Sequence, residues 1–178
     1  GLTYVEIAAG SHSLARRSNG TLVEWGGNDQ GQSNVPTLPS GLTYVEIAAG
    51  SHHSVARRSN GSVVTWGSNV HSQCNVPDPP DWATYVEVAA GGESNFPQSH
   101  TLARCSDGSV LAWGRNAYGQ CDVPARPPGI QYVEIAAGAN YSAARRNDGI
   151  IAAWGDNYYG ECNVPALPAG LVYVEIAG

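Results

Sequence analysis

The sequence predicts an all-β chain: a β-propeller-type repeat array of four blades, each of three to four antiparallel strands, plus the first strand of a fifth. Three observations carry this. The pair Trp-Gly recurs at Trp25, Trp66, Trp113 and Trp154, in steps of 41, 47 and 41 residues. The pair Val-Pro at Val35, Val76, Val123 and Val164 keeps the same steps, and Tyr-Val-Glu returns at Tyr4, Tyr44, Tyr85, Tyr132 and Tyr173. No segment shows a helical period. A fixed period of this length marks a repeat architecture. A unit so short cannot bury both faces of its sheet alone, so it stacks on its neighbours, and radial stacking gives a propeller.

The units run approximately over 1–40, 41–81, 82–128 and 129–169, with a partial unit at 170–178, all within a single repeat domain spanning 1–178. In the first unit "LTYVEIAAG" is rich in β-branched and aromatic residues and ends in Gly, which reads as a strand. Two short runs, "HSLARRS" and "TLVEWG", then meet at Asn19-Gly20. Asn60-Gly61, Asp107-Gly108 and Asp148-Gly149 occupy the same place, and such pairs favour a type I′ hairpin turn with positive φ at both residues. "WGxN" supplies a further turn. "VPTLPSG", "VPDPPDWA" and "VPARPPG" carry the chain onward in extended, proline-stiffened form. Glu6, Glu46, Glu87 and Glu134 on the first strands are answered by Arg16, Arg57, Arg104 and Arg145 on the second, as scaffold ion pairs between antiparallel strands.

Composition narrows the function. The chain is 42% hydrophobic and 13% charged, which suits a globular protein. Its net charge of −6 argues against nucleic acid as a partner. No run approaches the roughly 20 apolar residues of a membrane span. Catalysis finds no support: there is no "HExxH", "GxSxG", "CxxC" or phosphate-cradling glycine loop, and no cofactor is implied. His12, His53 and His100 recur in one slot that becomes Tyr141 in the fourth unit, which assigns them to packing and turn bonding. The spacing of His52, His53 and His71 does not point to a metal. Cys74, Cys121 and Cys162 share a slot that Ser33 fills in the first unit, and they read as small buried thiols and not as a disulfide framework. Asn19, Asn60 and Asn140 lie in glycosylation sequons, which matter only on a glycosylating secretory route.

Invariant positions serve packing and turns, so recognition is sought where the units differ. In the third unit "AAGSHHS" becomes "AAGGESNFPQSHT", which adds Glu93, Asn95, Phe96, Pro97 and Gln98. Phe96, the only Phe in the chain, is either a contact anchor or a side chain folded back on its own blade. The tips after "WGxN" read Asp29-Gln30, Val70-His71, Ala117-Tyr118 and Tyr158-Tyr159 between constant shoulders. Constant shoulders with variable centres suit a binding surface, and Tyr is well suited to contact; neutral drift on solvated turns is the alternative. Trp82, outside the Trp-Gly slot, is either a further contact residue or a cover for its linker. The candidate binding set is therefore Glu93, Asn95, Phe96, Gln98, Trp82, His71, Tyr118, Tyr158 and Tyr159.

The stretch "IAAGSHSLARRSNGTLVEWGGNDQGQ" resembles the repeat of the regulator of chromosome condensation family, and "CNVP" is similar to bacterial versions, including a secreted β-lactamase inhibitor. The resemblance implies a propeller, usually of seven blades, that binds other proteins across its faces. Members include a nucleotide exchange factor for a small GTPase, whose protruding wedge is not located here, and ubiquitin-ligase modules. Four units and a strand fall short of seven blades, which need on the order of 290 residues at this period. A fragment, a protomer of a multi-chain ring and an open array all remain. "GLTYVEIA" at Gly1 and "GLVYVEIA" at Gly170 nearly match, which favours assembly through a leftover strand. The expected function is a non-enzymatic scaffold that binds a protein partner through variable loops or self-associates through its ends. A carbohydrate-binding propeller and an end-to-end fibre are the alternatives, and the acidic, Lys-free composition leans towards an extracellular or surface setting.

Overall fold

The computed structural model describes residues 1–93, 95 and 98–177, and places each full repeat in one three-stranded antiparallel sheet whose strands follow chain order. The first blade holds β1 (Tyr4–Ala9), β2 (His12–Arg17) and β3 (Leu22–Gly26), and the second β4 (Tyr44–Ala49), β5 (His53–Arg58) and β6 (Val63–Gly67). The third holds β7 (Tyr85–Gly92), β8 (Ser99–Cys105) and β9 (Val110–Gly114), and the fourth β10 (Tyr132–Ala137), β11 (Tyr141–Arg146) and β12 (Ile151–Gly155). Among the described residues there is no helix.

The first strands face inward. β1, β4, β7 and β10, with residues 175–177, surround a channel of about 640 Å³ walled largely by alanines. Their ends converge closely enough that a Cβ on Gly10 would sit 2.1 Å from the Gly50 carbonyl oxygen, and one on Gly91 2.2 Å from that of Gly138. Glycine ends these strands because neighbouring backbones occupy the space of a side chain.

The Glu/Arg pairs form as expected. Glu6 lies opposite Arg16, Glu46 opposite Arg57, Glu87 opposite Arg104 and Glu134 opposite Arg145. Each carboxylate accepts from its arginine Nε, at 2.6 Å for Arg16 and 2.8 Å for Arg57. The second carboxylate oxygen reaches across to the next blade: Glu6, Glu46 and Glu87 accept the amides of Ile47, Val88 and Ile135, each at 3.1 Å. One side chain thus ties two strands of its own blade and a strand of the next.

Two expectations need correction. The hairpins between second and third strands are not type I′ turns, because only the glycine takes positive φ, from 75° at Gly108 to 82° at Gly61. The Gly20 amide donates to Arg17 at 2.8 Å and the Arg17 amide to Thr21 at 2.9 Å, a three-residue loop ending in a left-handed glycine. The preceding Asn or Asp is occupied as an acceptor, since Asn19 Oδ1 takes both the amide and the hydroxyl of Thr21. Secondly, residues 171–177, expected as the first strand of a fifth blade, join no ladder. The Tyr173 amide still donates to Gly149 at 3.2 Å, as Tyr44 does to Gly20 at 2.9 Å and Tyr132 to Gly108 at 3.1 Å. The segment lies where such a strand belongs.

The core is found between blades. Leu14 of blade one packs with Tyr44, Ile47, Ala56 and Trp66 of blade two. Val55 packs with Tyr85, Val88, Ala103 and Trp113, and Leu102 with Tyr132, Ile135, Ala144 and Trp154. Each of these buried clusters joins two consecutive blades, which is why one repeat is not a folding unit.

Candidate functional site

His12 lies opposite Gly26, His53 opposite Gly67 and His100 opposite Gly114. The loop after each first strand and the tip after each Trp-Gly therefore share one face. The Asn-Gly and Asp-Gly hairpins close the opposite end of each blade.

A buried relay along the seams holds that face. Ser54, Thr101 and Ser142 donate their hydroxyls to the carbonyls of Gln32, Gln73 and Gln120 in the preceding blade, at 2.8, 3.0 and 2.8 Å. Each hydroxyl hydrogen being spent, His12, His53 and His100 must supply the hydrogen from Nε2 to these oxygens, at 2.6, 2.9 and 3.0 Å. Nε2 therefore carries a hydrogen in each ring, and burial disfavours the charged form of all three. Burial holds His53 down to about 3, with the charge of His100 a smaller cause, and His100 down to about 4. The slot has the packing and bonding role expected from the sequence, and it joins blades instead of closing a turn.

The tips themselves are built alike. In each, an Asn side chain accepts the amide five residues on and donates to the residue after that: Asn28 to Asn34, Asn69 to Asn75, Asn116 to Asp122 and Asn157 to Asn163. Gln32, Gln73 and Gln120 accept the amides of Gln30, His71 and Tyr118, and Glu161 accepts that of Tyr159. The thiols of Cys74, Cys121 and Cys162 donate to backbone carbonyls six residues back, as the Ser33 hydroxyl does. Burial pushes the Cys121 thiol up to about 12, so it stays a donor, and all four cysteines are free. These thiols are partly rather than fully buried; Cys105 alone is fully buried, in the seam beneath Tyr85.

On these constant frames the variable side chains stand in solvent. Tyr158 and Tyr159 are 82% and 87% exposed, and their rings meet edge to face at 4.8 Å. Tyr118 is 48% exposed, with the Arg115 guanidinium 5.1 Å from its ring centre. His71 is exposed beside Val70.

The insertion joins this face. It lengthens the β7–β8 hairpin by the pairs Gly91 with His100 and Gly92 with Ser99. Glu93 accepts from the side chain of Asn140, and Asn140 accepts from Arg115 at 3.1 Å, so insertion, third tip and fourth blade are cross-linked. Asn95 is exposed and Gln98 half-buried, its carbonyl taking the Glu93 amide at 3.2 Å. Phe96, with Pro97, lies outside the described residues. Trp82 is not part of this assembly: its indole donates to Asp107 at 3.2 Å in a hairpin turn at the opposite end, where the ring is 78% exposed. Asn140 is buried, so its sequon is closed in the folded chain.

Sequence reasoning missed Arg115, Asn140 and Asp156. The position after Trp-Gly varies as freely as the tips, reading Gly27, Ser68, Arg115 and Asp156, and that signal was available. Glu24 was also missed: it accepts the Trp66 indole at 3.2 Å, while Trp113 and Trp154 donate to the carbonyls of Gln73 and Gln120, both at 2.9 Å. Half-buried in the seam, with its other oxygen unbonded, Glu24 is raised by burial to about 7. Among the described residues no cluster of His, Cys, Asp or Glu could hold a metal.

Residues 44–73, 98–120 and 132–161 match the family model of the regulator of chromosome condensation (RCC1) repeat. Among solved structures, yeast RCC1 (Prp20) bound to Kap60 aligns at TM-score 0.71 and 22% identity, covering 87% of this chain and 44% of that one. Prp20p from Saccharomyces cerevisiae, described with its binding to Gsp1p and histones, aligns at TM-score 0.72 and 25% identity, covering 96% and 48%. Human WBSCR16 aligns at TM-score 0.72 and 17% identity, covering 88% and 50%. The chain thus spans about half the length of each. No curated protein sequence matches it.

Proposed function

We propose that this chain, which carries RCC1 repeats, is a scaffold without chemistry of its own that docks a protein partner on the face formed by the tips and the insertion. The observation that supports this most directly is the contrast within the tips. Their frames keep the same bonds from blade to blade, while the outward side chains differ and remain exposed. Rigid frames with changeable aromatic contacts give affinity at low ordering cost. The neighbouring Prp20 structures are described with protein partners, which fits a protein-binding reading for this chain too. One sugar site per blade would call for like side chains at each tip, and the tips differ.

The test places a photo-crosslinking residue at Tyr118, at Tyr159 and, on the far side, at Trp82. Protein adducts that form at the first two positions, not at Trp82, and that excess unlabelled chain suppresses are expected. Adducts equal at all three positions, or suppressed as well by a chain with Tyr118, Tyr158 and Tyr159 changed to Ser, overturn the reading.

Self-association is a second reading with its own support. Leu2, Tyr4, Ile7 and Trp25 form an exposed apolar face on blade one, and Tyr44, Ile47 and Trp66, the equivalents of the last three in blade two, are covered by a neighbour. Light scattering over a wide concentration range distinguishes a discrete larger species from a monomer.

A further inference from the structure

Tips three and four are one loop with opposite electrostatics. Tyr118 and Tyr159 are equivalent, each donating its amide to the side chain two residues on, at 2.9 Å. Gly119 and Gly160 follow with φ of 81° and 89°, and the thiols of Cys121 and Cys162 close both loops on the carbonyls of Arg115 and Asp156, at 3.3 Å. Arg115 and Asp156 are therefore equivalent too.

In tip three the ring has its cation within the chain. Arg115 lies over Tyr118 and is held there by Asn140. In tip four that place is taken by Asp156, which turns back to accept the Tyr158 amide at 3.0 Å. Glu161 replaces Gln120 as the shoulder. Over residues 115–122 the formal charges of Arg115 and Asp122 cancel, whereas residues 156–163 carry Asp156 and Glu161, a net −2. Two residues with exposed aromatic rings thus each give their amide to a carboxylate, Tyr158 to Asp156 and Tyr159 to Glu161, in a frame whose twin stacks a guanidinium.

We infer that tip four receives an arginine side chain supplied by a protein partner, its guanidinium over Tyr158 and Tyr159 and its charge met by Asp156 and Glu161. Guanidinium suits this site better than ammonium because it is planar, weakly hydrated and stacks on aromatic faces. Tip three does not compete, since its ring is already served. The inference rests on the reading that this face docks protein, and gives one chemical feature of the partner.

The experiment is an NMR titration of the full chain with ring-labelled tyrosines, using N-acetyl-arginine amide as probe and N-acetyl-citrulline amide as its neutral twin. Saturable shifts of Tyr158 and Tyr159 are expected with the arginine probe, at least tenfold weaker with citrulline, while Tyr118 stays unmoved. Asp156→Arg, which installs the cation in the chain, should weaken the response at least tenfold, and Arg115→Asp should make Tyr118 respond. Equal response to citrulline, equal response of Tyr118 in the unaltered chain, or persistence in Asp156→Arg overturns the inference. The titration needs no protein partner. Failure here with tip-specific cross-linking intact rejects only the arginine; loss of cross-linking with the titration intact rejects only the docking face.

Discussion

The outer face of blade one and the face of blade two that packs on Leu14 of blade one are written in the same residues and live in different surroundings. Tyr4, Ile7 and Trp25 are 61%, 69% and 51% exposed, while Tyr44, Ile47 and Trp66, at the same places one unit on, are 2%, 6% and 7% exposed. Nothing local distinguishes them. Strand type, register and even the Glu/Arg ion pair are the same in both blades. The burial of an apolar residue in this architecture is conferred by the neighbouring blade, and most of its stabilisation comes with it.

The largest test of this contrast is a pair of truncations. Ile47→Ala should cost roughly 2–5 kcal/mol, and Ile7→Ala should stay within about 0.5 kcal/mol, read by denaturant unfolding. Equal losses would mean that blade one is covered in solution, which would favour self-association.

A second test breaks the seam through its charges. Glu46 bonds Arg57 and also the Val88 amide of the next blade, so Glu46→Gln should cost roughly 1.5–3 kcal/mol, as for hydrogen bonds to a charged group. Glu134→Gln, which weakens chiefly the pair with Arg145, should cost about 1 kcal/mol or less.

The seams also set opposite pH dependences. His53 and His100 have folded pKa values below the ordinary 6.5, near 3 and 4. The stability they contribute is complete above 6.5 and is lost as pH falls from there, because the unfolded chain takes up the protons. His53→Gln should blunt this loss in thermal unfolding between pH 7 and 4. Glu24 behaves in the reverse sense: its folded pKa, near 7, exceeds the ordinary 4.5. The protonated folded form is favoured, so its contribution is complete below 4.5 and lost as pH rises to 7. Glu24→Gln, which keeps an acceptor for Trp66, should raise the melting temperature at pH 8 and leave it nearly unchanged at pH 4.

The smallest effect compares the tips. Ser72 holds a φ of 64° where the other tips have Gly31, Gly119 and Gly160. Ser72→Gly relieves left-handed strain but frees the unfolded chain, for a net gain of up to about 1 kcal/mol.

Several of these features were legible in the residues. The Glu/Arg pairs were, because antiparallel strands joined by a short turn leave almost no freedom in register. The variable tips were, because four copies in one chain separate what the frame needs from what it does not. The hairpin type was misread, since Asn-Gly and Asp-Gly fit two loops equally well and the Asn or Asp side chain, bonding the residue after Gly, decides between them. Arg115, Asn140 and Glu93 could not be joined from sequence. They lie on three separate loops, and only the lateral packing of blade three on blade four brings them within bonding distance.

By itself the sequence determined the unit: its short antiparallel strands, their pairing, the places of the turns and the ion pair within each blade. These rest on contacts between residues close in the chain, where covalent connection restricts the geometry. The tertiary structure alone decided which apolar faces are covered, which histidines are buried, and that Trp82 and the tyrosines stand on opposite ends. Those outcomes depend on contacts roughly one repeat apart, and a repeated sequence writes the same residues whether or not a neighbour is there to meet them.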